Sequence, residues 1–357
     1  MISQKLRYFI LVCFLIGGPA LVWFLEEARP FSLRDAHSRI PTAISRGAQY
    51  LRTQQFSSGT FHMLVCPKGE GEDACIRDPG IVFLGYILNS LSFLPKEQVG
   101  DMTEKAAQFL FREQTRPGVW RFVLHDADPT VLPDLDTNAL VSSALQNLGY
   151  SLDNQALFLN NRNDRGEFRL WAEGYGSRAD YTPFAREIDC GTTANVLYYL
   201  GDTRETRSAC ELLVDDLLQK KSCSLYYRDP LVIYYFVARA YHEGSTCLKP
   251  TISYIQEAIL SEQKEDGSFG NSLQTAVSLS ALLDTGYDNE LRLLKAVSAL
   301  LRLQKNNGSW ERGTIYSYTR DSGSPAFLSK DTISLSEDLS TAFSLEALAK
   351  FGLFLKH

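Results

Sequence analysis

Two aspartates stand two positions apart where an apolar helical segment begins, in residues 134–139 with the sequence Asp-Leu-Asp-Thr-Asn-Ala. A carboxylic acid can donate a proton to a substrate when a neighbouring carboxyl group and hydrogen bonds stabilise the carboxylate left behind. Asp134 and Asp136 are therefore candidate catalytic residues for general acid chemistry.

Helix capping explains the same aspartates without catalysis. An Asp side chain accepts hydrogen bonds from free backbone N–H groups at a helix N-terminus, and its charge suits the helix dipole. Aspartates also occur near the starts of other predicted helices, at Asp78, Asp189, Asp229 and Asp338. Both interpretations stay open, because caps at equivalent helix ends would also place a ring of carboxylates around one opening of the fold.

A recurring phrase indicates an internal repeat: a glutamine, three residues, a glycine, one residue and an aromatic residue. The glycine permits a sharp turn after a helix, the glutamine can bind backbone groups freed there, and the aromatic ring can pack across the turn. The copies are Gln55…Gly59…Phe61, Gln114…Gly118…Trp120, Gln263…Gly267…Phe269 and Gln304…Gly308…Trp310, with looser versions at Arg162…Gly166…Phe168 and Gln219…Cys223…Leu225.

Each copy lies between an amphipathic helix and a more apolar one, as the three- and four-residue spacing of apolar side chains indicates. We predict an all-α fold, an (α/α)6 toroid of about six helix pairs with an inner and an outer ring, and an open solenoid is the alternative. Two long insertions, residues 168–188 and 311–337, precede inner helices. Both are expected at one mouth of the barrel, as lids or binding loops.

The repeated turns, together with inner helices that start with Thr-Ala, resemble the terpenoid cyclase and protein prenyltransferase toroid family over residues 45–357. Residues 134–139 resemble the DxDDTA motif of class II terpene cyclases such as the squalene-hopene cyclases. The resemblance implies that Asp136 protonates an alkene or epoxide and so starts carbocation cyclisation, with Asp134 as the first Asp of the motif. Thr137 replaces the last Asp of the motif and Asn138 replaces its Thr, which removes one supporting acid.

Further residues are predicted to bind substrate. Tyrosines crowd two inner helices, where their rings could stabilise a cation, although core packing explains them equally well. We predict no metal site and no cofactor, because the zinc ligands of the prenyltransferases have no spaced counterpart here. The predicted substrate-binding residues are Asp189, Asn138, Asn195, Tyr198, Tyr235 and Trp310.

The N-terminus predicts a membrane anchor. Lys5 and Arg7 precede an apolar run of 18 residues, Tyr8–Leu25, which Glu26 and Glu27 close. That length approaches the roughly 20 residues that span a bilayer, and the charge order predicts an exported C-terminal body. We assign residues 1–27 to the anchor (or a signal sequence), 28–44 to a linker and 45–357 to the toroid. The predicted location is the cell membrane, single-pass, with the toroid outside the cytoplasm.

Six cysteines follow the anchor, an even number that permits disulfides in an exported domain. Cys66 and Cys75 bracket a polar loop and form the best candidate pair, and Cys210 with Cys223 is a second pairing. Buried free thiols are the alternative.

Three functions are compatible with these features. The first is a cyclase-like enzyme acting on an isoprenoid lipid, and the second is a non-catalytic toroid that binds a lipid or an envelope protein partner. The third is a carbohydrate-active (α/α)6 enzyme with Asp136 and Asp189 as acid and base, and with Trp171 and Trp310 stacking on sugars. A net charge of -6 without a basic stripe excludes a nucleic-acid partner.

Overall fold

The computed structural model describes residues 31–78, 80–122, 132–172, 187–318 and 331–356. Twelve α-helices lie in these ranges, and odd-numbered and even-numbered helices alternate in their position in the fold. In chain order they are α1 Leu33–Gln54, α2 Ile81–Leu91, α3 Lys96–Arg112, α4 Leu135–Asn147, α5 Gln155–Leu159, α6 Cys190–Leu200, α7 Arg207–Leu218, α8 Pro230–His242, α9 Ile252–Ser261, α10 Ser272–Asp284, α11 Glu290–Leu303 and α12 Glu337–Phe354.

The even-numbered helices form a closed inner ring. Each packs against the next, and α12 returns to pack against α2. These helices are buried around almost their whole circumference, as α4 and α10 show, which is the pattern of helices that pack on all sides. The odd-numbered helices lie outside and bury one face. The toroid prediction is therefore confirmed, and the open solenoid is excluded.

The repeated turns join neighbouring outer helices. Gln263 donates its side-chain amide to the carbonyl oxygen of Gly267 (3.3 Å) and to that of Arg292 in the next outer helix (3.0 Å). Gln304 does the same with Gly308 and with Ala43 of α1 (both 2.9 Å), so the last repeat closes onto the first.

Side chains fill the ring near the C-terminal ends of the inner helices. Lys350 pairs there with Asp284 at 2.6 Å and with Glu346 at 2.7 Å. Tyr235 donates a hydrogen bond to Glu346 at 2.9 Å. A buried lysine that contacts two carboxylates satisfies its charge inside the protein. A cavity lies instead at the other end of the ring, where the inner helices begin.

The prediction of a purely α-helical body is incomplete, because a small antiparallel sheet covers that end. Its strands are β1 Leu64–Pro67, β2 Ile76–Arg77, β3 Ser317–Tyr318 and β4 Thr332–Leu335, in the order β2-β1-β4-β3. The pairing of β1 with β4 joins the first repeat to the second long insertion, two segments distant in sequence. Backbone pairing across that distance leaves no local signal.

The first helix extends into the segment assigned above to a linker. Ser32 and Asp35 form a capping box, so α1 begins at Leu33, and Ala36 and Ile40 are buried in the core. No helix of the described residues is long and apolar enough to cross a membrane. The predicted anchor, residues 1–27, lies outside the described residues.

Three disulfides are formed among the residues that the structure describes. Cys66–Cys75 is confirmed, whereas the pairing of Cys210 with Cys223 is wrong. Cys223 instead bonds to Cys190, and Cys210 bonds to Cys247. The reason is tertiary: the segment after α7 runs beside the start of α6, where the Cys190 N–H donates to the Cys223 carbonyl at 3.1 Å.

Candidate active site

A cavity of about 400 Å³ lies among the starts of the inner helices, beneath the sheet. Its wall is mostly apolar and aromatic. Described residues of both long insertions line it, including Trp171 and Tyr316, so the prediction that both insertions meet at one mouth is confirmed. The cavity also contains three carboxylates, those of Asp78, Asp134 and Asp136.

Capping falls on Asp134 and not on Asp136. Asp134 is the N-cap of α4, and its Oδ1 accepts a hydrogen bond from the Thr137 N–H at 2.6 Å. Asp136 stands in the first turn of the helix, and its carboxylate caps no backbone group among the described residues. The capping explanation therefore applies to the first aspartate of the pair and leaves the second available for chemistry.

Two donors hold the Asp136 carboxylate. Asn195 on α6 donates its side-chain Nδ2–H to Oδ1 at 2.6 Å, and Tyr227, just before α8, donates its hydroxyl to Oδ2. Tyr227 in turn accepts a hydrogen bond from the Tyr86 hydroxyl on α2 at 2.8 Å. Three inner-ring segments thus converge on a side chain that is 7% exposed.

Burial sets the protonation of Asp136. Desolvation, reinforced by the nearby charge of Asp134, raises its pKa to about 7, and the hydrogen bonds from Tyr227 and Asn195 act in the opposite direction. A substantial fraction of Asp136 is therefore neutral at neutral pH and able to donate a proton. The two donors then stabilise the carboxylate that the transfer leaves behind.

The neighbouring acid is more constrained. Desolvation raises the pKa of Asp134 to about 6, against the opposing effect of its hydrogen bonds with Thr137. Its Oδ2 and the Thr137 hydroxyl oxygen are both buried. Both residues line the cavity, so the acid end of the cavity carries polar atoms that can meet a polar group of a ligand.

Asp78 is the third carboxylate of the cavity. One oxygen accepts the Gly80 N–H at 2.8 Å, and α2 has no side-chain N-cap. Desolvation raises its pKa as well. Asp78 therefore adds to the acidic character of the cavity.

Asp189 and Asn138 have structural partners. Asp189 is fully buried, caps α6 through Thr192, and accepts hydrogen bonds from the Ser224 hydroxyl at 2.6 Å and from the Leu225 N–H. Asn138 binds the backbone N–H and carbonyl of Trp120. Neither is among the described residues that line the cavity.

Of the remaining predicted residues, only Asn195 contacts the acid. Tyr198 lies 4.6 Å from the Arg239 guanidinium, and Tyr235 binds Glu346, both outside the cavity lining. Trp310 is fully buried in its turn, where its ring N–H donates to the Leu300 carbonyl at 2.8 Å. The structure thus places Tyr235 and Trp310 in the core and packs the partly buried Tyr198 against it.

Sequence reasoning missed Tyr86, Tyr227 and Arg239. Tyr227 follows the degenerate repeat turn at residues 219–225 and precedes an inner helix, and that position is the only signal that could have singled it out. Tyr86 and Arg239 lie within apolar helices without any motif. Among the described residues, no group of three or more His, Cys, Asp or Glu side chains is arranged to hold a metal ion.

Solved structures share this fold. The type II terpene cyclase MstE from Scytonema matches with a TM-score of 0.67 at 18% identity, over 89% of this chain and 99% of the other. The ent-copalyl diphosphate synthase from Streptomyces platensis matches at 0.56 and 20% identity, over 76% of this chain and 50% of that one. An unsaturated glucuronyl hydrolase specific for heparin matches with a TM-score of 0.50 at 15% identity, over 90% of this chain and 98% of the other.

The chain therefore has the α/α toroid fold of the terpenoid cyclases. No protein-family model matches the sequence, and no curated protein sequence matches it. At these identities the structural similarity shows the fold, and the activity must be argued from the site.

Proposed function

We propose that the protein is a class II terpene cyclase-like enzyme that starts the cyclisation of an isoprenoid by proton transfer from Asp136. The observation that carries the proposal is a buried, partly neutral carboxylic acid, held by two donors, at the wall of an apolar cavity. The volume of about 400 Å³ is within the range of small-molecule pockets, roughly 300–1,000 Å³.

The chemistry follows from this arrangement. The Asp136 proton adds to a terminal carbon–carbon double bond, and the resulting carbocation is attacked by the next double bond of the chain. The last cation loses a proton to solvent and solvent returns a proton to the Asp136 carboxylate, so substrate and product are isomers. Trp171, Tyr226 and Tyr316 line the cavity, and aromatic rings of this kind can stabilise positive charge. The mostly apolar wall also disfavours bound water, which would otherwise trap the cation.

A structural neighbour supports the substrate class. The Scytonema enzyme has been solved with geranylgeranyl dihydroxybenzoate bound as substrate. An isoprenoid chain is apolar along most of its length, as is the wall of the cavity here. Thr137, in place of a further Asp, leaves Asp136 with Tyr227 and Asn195 as its main support.

The location is part of the proposal. An N-terminal anchor over residues 1–27 would hold the toroid at the outer face of the cell membrane, near a lipid substrate. Three disulfides support an oxidising compartment, since such bonds are rare in the cytosol.

A carbohydrate-active function has less support. Sugar sites are polar, whereas this cavity is mostly apolar. Asp189, the suggested partner acid of Asp136, is fully buried and engaged by Ser224, Leu225 and Thr192. A non-catalytic lipid-binding toroid remains the second hypothesis, and the experiment below separates it from the enzyme.

The test uses the full-length protein with a membrane lipid extract. Mass spectrometry of bound and released lipids should show an isoprenoid and its cyclic isomer. Asp136→Asn should lower product formation by at least about a hundredfold, as removal of a general acid does, while retaining the bound substrate. The rate of the unmodified protein should fall as the pH rises through about 7, because Asp136 loses its proton.

The control is Asp101→Asn on the exposed face of α3, which should leave the rate unchanged. Product formation by Asp136→Asn at a rate close to that of the unmodified protein would refute the proposed acid. An isoprenoid that stays bound but unconverted in the unmodified protein would favour the non-catalytic hypothesis.

A further inference from the structure

Arg239 is a buried cation that lies outside the cavity lining and contacts the hydrogen-bond network of Asp136 through Asn195. It lies on α8, is 4% exposed, and donates a hydrogen bond from Nη2 to the Asn195 Oδ1. Its Nε and Nη1 atoms have no hydrogen-bond partner among the described residues. The guanidinium is instead surrounded by aromatic rings, with its Cζ 4.6 Å from the centroid of Tyr198 and 4.9 Å from that of Phe236.

The chemistry of these groups fixes the direction of a chain of hydrogen bonds. A guanidinium is only a donor, so Asn195 must present its oxygen to Arg239 and its nitrogen to the other side. That nitrogen carries two N–H groups and lies 2.6 Å from Asp136 Oδ1 and 3.4 Å from the Tyr86 hydroxyl. Asn195 can therefore donate to both.

The same direction continues through the tyrosines. Because Tyr86 accepts from Asn195, its own hydroxyl proton is directed to Tyr227 at 2.8 Å. Tyr227 then directs its proton to Asp136 Oδ2. Both oxygens of Asp136 are thereby reached by donors, through one amide and through two hydroxyls, and Arg239 lies at the origin of both routes.

We propose that Arg239 is a positioning residue. By binding the Asn195 side-chain oxygen, it orients the network so that each group donates its hydrogen bond in the direction of Asp136. The effect of Arg239 on catalysis rests on the proposed function. The direction of the hydrogen bonds in the network does not, because it is a property of the folded chain. Without Arg239 the Asn195 amide can rotate and present its oxygen to Asp136. That arrangement favours the neutral acid and weakens it as a proton donor.

Other ionisable groups face this network and stay in place in the test. Asp134, Asp189 and the Tyr227 hydroxyl act on Asp136 from α4, from the start of α6 and from the segment before α8. Glu346 on α12, with Tyr86, Tyr198 and Tyr235, surrounds Arg239. The experiment must therefore separate the direction of the Asn195 amide from the charge of Arg239.

The first measurement is the titration of the Asp136 carboxyl by ¹³C NMR in protein labelled at aspartate, with Asp136→Asn used to assign the signal. Arg239→Gln replaces a pure donor with a side chain that both donates and accepts. It should raise the pKa of Asp136 by about one unit, the size expected for loss of one hydrogen bond to a charged group. Arg239→Lys, again a pure donor, should return the pKa of Asp136 most of the way to its value in the unmodified protein.

A double-mutant cycle identifies the route. In an Asn195→Leu background, Arg239→Gln should cause no further shift, because the amide through which Arg239 acts is gone. Asn195→Asp keeps an oxygen for Arg239, removes the donor toward Asp136 and should raise the pKa on its own. It provides a second readout if Arg239→Gln folds poorly.

Activity supplies an independent readout. In Arg239→Gln the turnover number should fall about tenfold while the alkaline limb of the pH profile moves to higher pH, since a weaker acid stays protonated longer but transfers its proton more slowly. Equal shifts with and without Asn195, or a loss of activity without any movement of the titration, would overturn the inference. A shifted titration in a protein without cyclase activity would sustain it and refute only the proposed function.

Discussion

At the scale of the residue, Asp136 shows how one environment creates both reactivity and instability. Burial raises the pKa of Asp136 and so favours its protonated form, and the cavity provides apolar and aromatic surface beside it. The neighbouring Asp134 uses one oxygen to cap α4, which is the ordinary use of aspartate at a helix start. Two acids two positions apart therefore have different tasks because only one of them faces a backbone N–H.

The raised pKa of Asp136 predicts a dependence of stability on pH. An acid with a higher pKa in the folded state than in the unfolded chain binds more protons when folded, so stability falls as the pH rises. For Asp136 this decline should run from about pH 4 to about pH 7, and Asp134 should add to it up to about pH 6. The free energy of unfolding, measured by urea denaturation across that range, should decrease accordingly.

Asp136→Asn removes this contribution. The variant should be more stable than the unmodified protein at pH 8, with the difference shrinking toward pH 4, where the acid is neutral in the folded state. The exposed control Asp101→Asn should show no such gain at pH 8. An Asn variant that is less stable at pH 8 would indicate that the carboxylate contributes favourable interactions that outweigh its burial.

At the scale of the element, the repeat turns are defined by where their glycines lie. Gly267 has a φ of +88°, and a Cβ added there would lie 2.3 Å from the Lys295 carbonyl oxygen of the next outer helix. Gly59 and Gly308 have the same geometry against Lys105 and Arg46. The glycine of the motif is thus required twice, for its backbone conformation and for the close approach of an outer helix.

Substitution can separate these two requirements. Gly267→Ala should destabilise the protein by about 3 kcal/mol or more, because a left-handed conformation costs about 1–2 kcal/mol and a backbone overlap adds to it. Gly286→Ala is the matched control, since Gly286 has a φ of +71° but no atom within 4 Å of an added Cβ. It should cost only about 1–2 kcal/mol. Equal losses in urea unfolding would show that the packing against Lys295 contributes nothing.

At the scale of the whole molecule, the closure of the ring makes the last turn equivalent to an internal one. Gln304 binds the Ala43 carbonyl of α1 and the Gly308 carbonyl of its own turn, just as Gln263 binds the Arg292 carbonyl of α11 and the Gly267 carbonyl. In an open solenoid a terminal turn would have no such partner, and the repeats at the two ends of the array would be its least stable part.

Closure predicts equal effects from equivalent changes. Gln304→Leu and Gln263→Leu should each lower the free energy of unfolding by about 1–2 kcal/mol, through lost hydrogen bonds to backbone carbonyls. Both variants should unfold in one transition in denaturant, as the parent should. A much smaller loss for Gln304→Leu, or a separate early transition, would mean that the ring opens readily between α11 and α1.

Local patterns in the sequence were sufficient to predict the helical ring, although not the sheet that covers one end of it. The glutamine–glycine–aromatic turn and the alternation of amphipathic and apolar helices predicted the closed ring, because each repeat contains its own turn chemistry. The candidate acid was also visible, since the Asp134–Asp136 pair stands at a helix start. Its partner Asn195 was named as a substrate-binding residue, and the structure places it 2.6 Å from Asp136.

The partners of the acid, by contrast, were decided by tertiary structure. Tyr86 comes from α2, whereas Tyr227 and Arg239 come from α8 and the segment just before it, and no local pattern relates them to Asp136. The same reason explains the Cys190–Cys223 and Cys210–Cys247 disulfides and the pairing of β1 with β4. Trp310 and Tyr235 fit a ligand pocket by residue type, yet ring closure buries both. Sequence alone thus determined the ring and the position of its acid, whereas packing across the ring determined which side chains tune that acid.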